Sequence, residues 1–326
     1  MNRRSLLKSS AVLPLMASPL RAMAQESFPS RPVRLVVGFG AGGGMDIMYR
    51  NVAQRLTPLL GQNVLVENRP GANGSVSAIY VGSQVPADGH TLLVLPSFMA
   101  TINPHLYKDA TVDYDRDFAN VGGVTDTRFV VMVPASLGIT SLKQFVEEVR
   151  AKPGTFNFAS GGNGSIAHLV FERFRSEQRL DIEHVAYKGT GPAVPDFLAG
   201  RIHLMIDNYN QMKAHVERGA VKVLAVANAE RMKAIPDVPT TGEAGFPNLL
   251  AIGWSSLMAP AKVPEAVLAR LRKAVRQVAE DADFADYMES IGAAARWREP
   301  EELLELTRKE RDFWGAFIRQ QGIKVA

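Results

Sequence analysis

Short β-branched runs bounded by glycine or proline alternate with runs whose apolar residues recur every three or four positions. This alternation occupies most of the 326 residues. It is the pattern of βαβ units, in which strands line up mostly in parallel and helices cover the sheet. The strand-like runs are "PVRLVVG" (32–38), "NVLVE" (63–67), "HTLLVLP" (90–96), "RFVVMVPA" (128–135), "TFNFAS" (155–160), "IEHVAY" (182–187), "IHLMID" (202–207), "VKVLAVAN" (221–228) and "GWSSLMAPA" (253–261). Helical spacing marks 45–60, 73–85, 141–152, 165–178 and a short stretch at 193–200 closed by Gly200, and the tail from Pro264 reads as largely helical. Ser141 is the expected N-cap of its helix, because a serine oxygen there accepts an otherwise unpaired N–H. No tether rich in glycine or serine separates the halves, and no solenoid-length repeat is present. Two crossings, near 125–129 and 250–259, are expected to join two α/β lobes. The first lobe is then discontinuous, 25–126 with 251–326, and the second is 127–250.

Three strand-to-helix junctions are rich in glycine. The first, "RLVVGFGAGGGMD", holds a literal G-x-G-x-x-G at Gly38, Gly40 and Gly43, and Glu67 closes the next strand. That arrangement fits a dinucleotide site, the acid holding a ribose hydroxyl. The device recurs at "VENRPGANGSVSA" and at "FNFASGGNGSIAHLV". One dinucleotide needs one such loop. Several loops in two lobes suit a small anion clasped by helix N-termini, where unpaired N–H groups and the helix dipole favour negative charge. Each glycine alone also serves as a tight turn.

The formal net charge is +4, but Arg3, Arg4, Lys8 and Arg21 lie in the first 24 residues, which contain no acid. Without that segment basic and acidic residues balance at 33 each. A neutral chain lacks the electrostatic footprint of a nucleic-acid binder. The segment itself reads as an export signal of twin-arginine type, which the general secretory route also accepts, with "MNRRSLLK", the apolar "AVLPLMA", and "AMA" at 22–24 placing cleavage near Ala24. Its apolar run is too short to span a bilayer, and no later run reaches about 18 residues, so no membrane insertion of the mature chain is expected. The chain has no cysteine, which removes disulfides, thiolate chemistry and Cys-ligated zinc. No H-E-x-x-H or other ligand cluster points to a metal.

The stretches "GFGAGGGMDIMYR", "VENRPGANGS", "ADGHTLLV", "FASGGNGSIAHL", "VAYKGTGPAVPDFLAG", "LAVANAERMKAIPDVPTTGEAGFP" and "GWSSLMAPAKVPE" occur in that order over nearly the whole mature chain. Together they resemble the Bug-type receptors, the extracytoplasmic solute receptors of tripartite tricarboxylate transporters. The resemblance implies a type II periplasmic-binding-protein fold, a periplasmic location, and capture of a small carboxylate. It also implies transient docking to membrane transporter subunits, no cofactor, and a monomer.

The resemblance also implies site residues. Phe39, Ala41, Gly42, Gly43 and Asp46 match the family's first loop, with the backbone around Gly42–Met45 and the Asp46 carboxylate facing ligand. An acid in a first helical turn also complements the dipole without any ligand. Gly40 and Gly44 depart from the bulkier or proline residues common there, which bears on loop stiffness. Asn68, Pro70, Gly71 and Gly74 match the second loop, and equally suit a structural turn. Ser160, Gly161, Gly162, Asn163, Gly164 and Ser165 match a carboxylate cradle, with His168 on the following helical turn, as a ligand contact or a packed ring. Tyr187, Lys188, Gly189 and Thr190 match a tyrosine–lysine–glycine turn, Lys188 being either a cleft cation or an ion-pair partner. Asp207 matches a position near the cleft or hinge, where an acid facing an anionic ligand needs an amine, a water or a protonated partner. Two residues are read from position alone. The Ser97 hydroxyl, after the third strand, can serve a carboxylate or its own turn. Arg128, at a crossing, can grip a second carboxylate bidentately or form an inter-lobe salt bridge. Asn208, Asn210 and Gln211 lie where they can tune the same pocket.

The expected function is a solute receptor for a mono- or dicarboxylate, aromatic acids and amino acids included, and not an enzyme. The rival is an exported NAD(P)-dependent oxidoreductase using the Gly38–Gly43 loop. A hydrolase is disfavoured by the lack of G-x-S-x-G. A signalling protein sharing the fold is a third class.

Overall fold

The computed structural model describes residues 28–107, 112–187 and 189–324. The expected export signal and Lys188 lie outside the described residues. The chain is α/β with one continuous sheet path. The first stretch carries β1 (Val33–Val37), α1 (Gly44–Leu60), β2 (Val64–Asn68), α2 (Ser75–Ser83), β3 (Thr91–Pro96), α3 (Ser97–Thr101), α4 (Asn103–Leu106) and α5 (Tyr114–Asp117). A 17-residue strand follows, β4 (Phe118–Pro134). Then come α6 (Leu142–Ala151), β5 (Phe156–Ser160), α7 (Ile166–Gln178), β6 (Ile182–Ala186), α8 (Val194–Leu198), β7 (Leu204–Asn208), α9 (Tyr209–Glu217) and β8 (Val221–Val226). The remainder is β9 (Ile252–Pro260), α10 (Glu265–Ala279), α11 (Ala282–Ser290), β10 (Ala293–Arg298) and α12 (Pro300–Gln321).

The strand order is β2-β1-β3-β9-β4-β7-β5-β6, with β8 and β10 also paired to β4. Strands β1, β2 and β3 pair in parallel, as do β5, β6 and β7. The pairings of β4 and β9 are all antiparallel, so the sheet is mixed where a mostly parallel one was expected. The reason is topological. Parallel neighbours need a crossover helix, whereas β4 and β9 run directly between the halves in opposite senses. Strand β4 changes partners along its length. Phe118–Arg128 lie against β9, and Phe129–Pro134 against β7 and β8. The chain returns where Ala251 N–H donates to Ala227 O, and Ala227 N–H to Phe129 O.

Four apolar clusters follow this division, and a fifth joins the halves by packing Ile102, Leu106 and Ile318 against Leu169. One pair of clusters draws on residues between Val33 and Phe118–Val124 and between Trp254 and Leu303. Another pair draws only on buried residues between Phe129 and Ala251. Strand β3 is buried at all six positions, as expected for a strand covered on both faces. Helix α6 buries Leu142, Phe145, Val146 and Val149 at three- and four-residue spacing, and the Ser141 hydroxyl caps it by accepting Gln144 N–H at 3.1 Å. Elements between 97 and 117 escape the sequence pattern, because helices of four or five residues contain no period to read. Strand β10, inside a tail that reads as helical, is likewise visible only in the structure.

A buried polar chain ties α1 to the two crossing strands. The Tyr49 hydroxyl donates to Ser255 Oγ at 2.9 Å, and Ser255 Oγ lies 2.7 Å from Thr125 Oγ1. Burial pushes the Tyr49 phenol above its ordinary range, so it stays protonated and able to donate. Replacing Tyr49 with Phe should cost about 1–2 kcal/mol by leaving this chain one donor short. Urea unfolding measures that loss, and an unchanged midpoint would show the chain to be energetically idle.

Candidate functional site

Parallel β5 and β7 pair with Ala159 opposite Met205, so two residues further on the Gly161 turn and Asp207 emerge together at the carboxyl end of the sheet. Open α/β sheets place ligand sites at such ends. The β6 end joins them, because Tyr187 N–H donates to Ser160 O and Gly189 N–H to Gly161 O. These turns form one wall of a cavity of about 630 Å3, with Gly161, Gly162, Asn163, Ser165, Ile166, Ala167, Ala186, Tyr187, Gly189, Thr190, Phe129 and Asp207 on that side. Asn73, Phe98 and Tyr107 face them from the other half. The volume suits a small organic solute.

The glycine-rich turn is held from behind. Gly162 N–H donates to Ser160 Oγ at 3.2 Å, and Ser160 Oγ lies 2.7 Å from His184 Nε2. His184 stacks on His168 with centroids 4.1 Å apart. His168 Nδ1 accepts Gly164 N–H at 3.0 Å, so its other nitrogen carries the ring proton. Burial first, then the neighbouring ring, pushes His168 down to about 3, and burial pushes His184 down to about 4. Both rings are neutral near pH 7, which keeps His168 an acceptor. Gly164 has φ +80 and Gly162 φ +130, where a side chain would be strained. Ser165 caps α7 by accepting His168 N–H at 3.3 Å. The first turn of α7 contains no acid, and the N–H groups of Ile166 and Ala167 have no hydrogen-bond partner among the described residues.

The first glycine loop is built differently. Asp46, in the first turn of α1, accepts Gly42 N–H at 2.9 Å and Arg50 Nε–H at 2.9 Å through Oδ2, and Asn68 Nδ2–H at 2.9 Å through Oδ1. The hydrogen bond from Arg50 leads in holding its pKa down to about 2. Asp46 is therefore a strapped carboxylate that closes its own loop. Asn68 extends the strap by donating to Phe39 O at 3.0 Å. Ala41, Gly42 and Gly43 are exposed and do not line the cavity, and Met45 packs against the first-half core. Phe39 reaches the cavity indirectly, edge-on to Phe98 at 5.8 Å. Gly38 has a packing role, since a Cβ there would sit 2.6 Å from Ser77 Oγ and 2.8 Å from Gly74 Cα. Glu67 is bound to Arg34 and Arg69 rather than presented to a ribose.

Of the other expected residues, Gly161, Asn163, Ser165, Tyr187 and Asp207 line the cavity, while Ser160, Gly164 and His168 support it. The Tyr187 hydroxyl is committed to Asp196 at 2.8 Å, which leaves its ring for the cavity. Ser97 is buried at the start of α3 and borders a separate groove with Phe313 and Trp314. Arg128 also lies elsewhere. Its guanidinium donates to both Glu289 oxygens at 2.9 and 3.0 Å and borders a polar cavity of about 320 Å3 shared with Asp126 and Arg298. The structure shows the salt-bridge alternative, with Nη1 donating to both oxygens of Glu289 on α11. Sequence reasoning missed Asn73, Phe98, Tyr107 and Phe129. Asn73 has φ +51 and is held by reciprocal bonds with Asn103, Nδ2–H to Oδ1 at 2.9 Å and Asn103 Nδ2–H to Asn73 O at 3.0 Å. No local pattern pairs residues thirty apart.

The match to the "Tripartite tricarboxylate transporter family receptor" model spans residues 48–323. The chain belongs to this family. Its members include relatives such as protein BugT of Bordetella pertussis, 30% identical over the full length of both chains. Among solved structures, Rhodopseudomonas palustris Rpa4515 with adipate matches at TM-score 0.82 and 30% identity, over 91% of this chain and 99% of that one. MatC from the same species, with bound malate, matches at TM-score 0.76 and 29% identity over 89% and 100%. The fold of this family receptor is the mixed α/β periplasmic-binding-protein fold. No helix among the described residues is long and apolar enough to cross a membrane.

Asp207 is the outlier of the site. It is 4% exposed, its Oδ1 accepts Asn208 N–H at 2.8 Å, and its Oδ2 has no partner among the described residues. Burial pushes its pKa up to about 6, the Asn208 N–H and the Thr190 side chain opposing only in part. A carboxyl whose folded pKa lies above its ordinary 3.8 destabilises the fold only when ionised. The cost is absent below about pH 4 and complete above about pH 6, where it amounts to about 3 kcal/mol. Asp207→Asn should therefore raise the unfolding temperature at pH 8 and leave it nearly unchanged at pH 4. A gain of equal size at both pH values would contradict the desolvated charge.

Proposed function

We propose that this family receptor captures a small mono- or dicarboxylate in the cavity between its halves and delivers it to membrane transporter subunits from the periplasm. One contrast carries the reading. The N-terminus of α1 is already neutralised by its own Asp46, whereas that of α7 opens into the cavity with unpaired N–H groups and no acid. A carboxylate placed there meets backbone donors and the positive end of a 13-residue helix. The adipate and malate carried by two solved relatives are of the same chemical class. Gly161, Asn163, Ser165 and Tyr187 then surround the carboxylate, with Asn73, Phe98 and Tyr107 closing over its other end.

Residues 25–126 with 251–326 and residues 127–250 act as the two lobes, and the partner switch between Arg128 and Phe129 in β4 serves as one hinge. Closure expels water and strengthens each N–H to carboxylate bond. The N-terminal segment to Ala24 acts as the export signal, and the loaded receptor works as a monomer. The oxidoreductase alternative is disfavoured, because Gly38 packs against α2 and Glu67 is already paired.

Thermal unfolding of residues 25–326 against a panel of mono- and dicarboxylates, with NAD and NADH included, tests the reading. A ligand at one hundred times its Kd should add about 2.7 kcal/mol. A rise with a carboxylate series and none with the nucleotides is expected. A rise with NADH alone would overturn it.

A further inference from the structure

Asp207 borders the cavity, and its buried Oδ2 has no hydrogen-bond partner among the described residues. Its Oδ1 is bound to the next residue's N–H at 2.8 Å. The Thr190 hydroxyl lies close enough to help stabilise the carboxylate, but its single proton is given to Gln211 Oε1 at 3.0 Å, so no full hydrogen bond reaches Oδ2. A buried carboxylate oxygen without a donor costs free energy that the empty fold does not recover. The contrast with Asp46 is direct, since both oxygens of that acid are saturated by Gly42, Arg50 and Asn68. The cavity thus has two electrostatic ends. The α7 N-terminus supplies donors without acceptors, and Asp207 supplies an acceptor without a donor.

A plain alkyl carboxylate satisfies the first end only, and it brings its negative charge towards a second carboxylate. A ligand with a proton-donating substituent on the same skeleton satisfies both. Resting on the carboxylate reading above, we propose that Asp207 is a specificity-determining residue that accepts a hydrogen bond from an ammonium or hydroxyl group of the ligand. The solute class is therefore an amino- or hydroxy-carboxylate rather than an unsubstituted acid. An unpaired buried group is also a strong discriminator, because the analogue lacking its partner leaves it unsatisfied.

The test uses three matched series on the mature protein and on Asp207→Asn: succinate, malate and aspartate; glutarate, 2-hydroxyglutarate and glutamate; propionate, lactate and alanine. Calorimetry gives the affinities, and circular dichroism confirms that both proteins are folded. Asp207→Ser serves as the second variant should the first misfold. In the wild type, the amine or hydroxyl member of at least one series should bind at least about tenfold tighter than its parent acid, or about 1.4 kcal/mol. Asp207→Asn should reduce that ratio to within about threefold, with the parent acid binding at least as tightly as before. Preference for the amine identifies an ammonium partner and preference for the hydroxyl an alcohol, and either supports the proposal. A parent acid that binds as tightly as its substituted partners, or a ratio unchanged by the substitution, overturns the role of Asp207 and leaves carboxylate capture standing. Binding of no acid in any series overturns both.

Discussion

Strand β4 hydrogen-bonds to β9 through Phe118–Arg128 and to β7 and β8 through Phe129–Pro134, so a single extended segment belongs to both halves. That sharing dictates the rest. The two halves cannot separate, yet each keeps two apolar clusters on its own side of the Arg128–Phe129 switch, with one small cluster around Leu169 and Ile318 bridging them. The turns at the carboxyl ends of β5, β6 and β7 open towards the ends of β3 and α2, and the cavity lies between them. The Tyr49–Ser255–Thr125 chain and the Asp126–Arg298 and Arg128–Glu289 pairs all cluster along the same crossing. The charged side chains there pair with one another across the crossing.

Two helices with glycine-rich entrances look alike in sequence and differ in chemistry. Helix α1 carries its anion within its own first turn, and the Asp46 strap consumes both carboxylate oxygens. Helix α7 carries none, and its entrance is held open by Ser160, His184 and His168, two of which are imidazoles kept neutral by burial. A neutral support matters, because a charged imidazolium would donate where Gly164 N–H requires an acceptor. The positive end of α7 is thereby left for something from outside.

Much of this is legible in the sequence, and the limits are physical. Elements with a full period were readable: the apolar positions of α1, the Ser141 cap of α6, and the β5 turn into α7. The ordered family motifs carried the fold, because a whole chain of such segments constrains more than any one of them. Asp207 stood out as an acid at a strand end, but its orphaned oxygen follows from what surrounds it. The choice between the two readings of Arg128 was closed to sequence for the same reason, since its partner Glu289 lies 161 residues away. Phe98 and Tyr107 sit on or beside helices of four or five residues, where periodicity has nothing to act on. The G-x-G-x-x-G at Gly38–Gly43 is a literal match whose first glycine answers to close packing against Ser77 and Gly74.

The most direct measurement is a crystal structure of the mature protein with the carboxylate that most raises its unfolding temperature. The account predicts a carboxylate group within hydrogen-bond distance of the Ile166 and Ala167 N–H groups, between the Gly161–Ser165 turn and the Asn73 loop. A carboxylate seated instead on the exposed Gly40–Gly44 loop, or in the Arg128–Glu289 cavity, would contradict it.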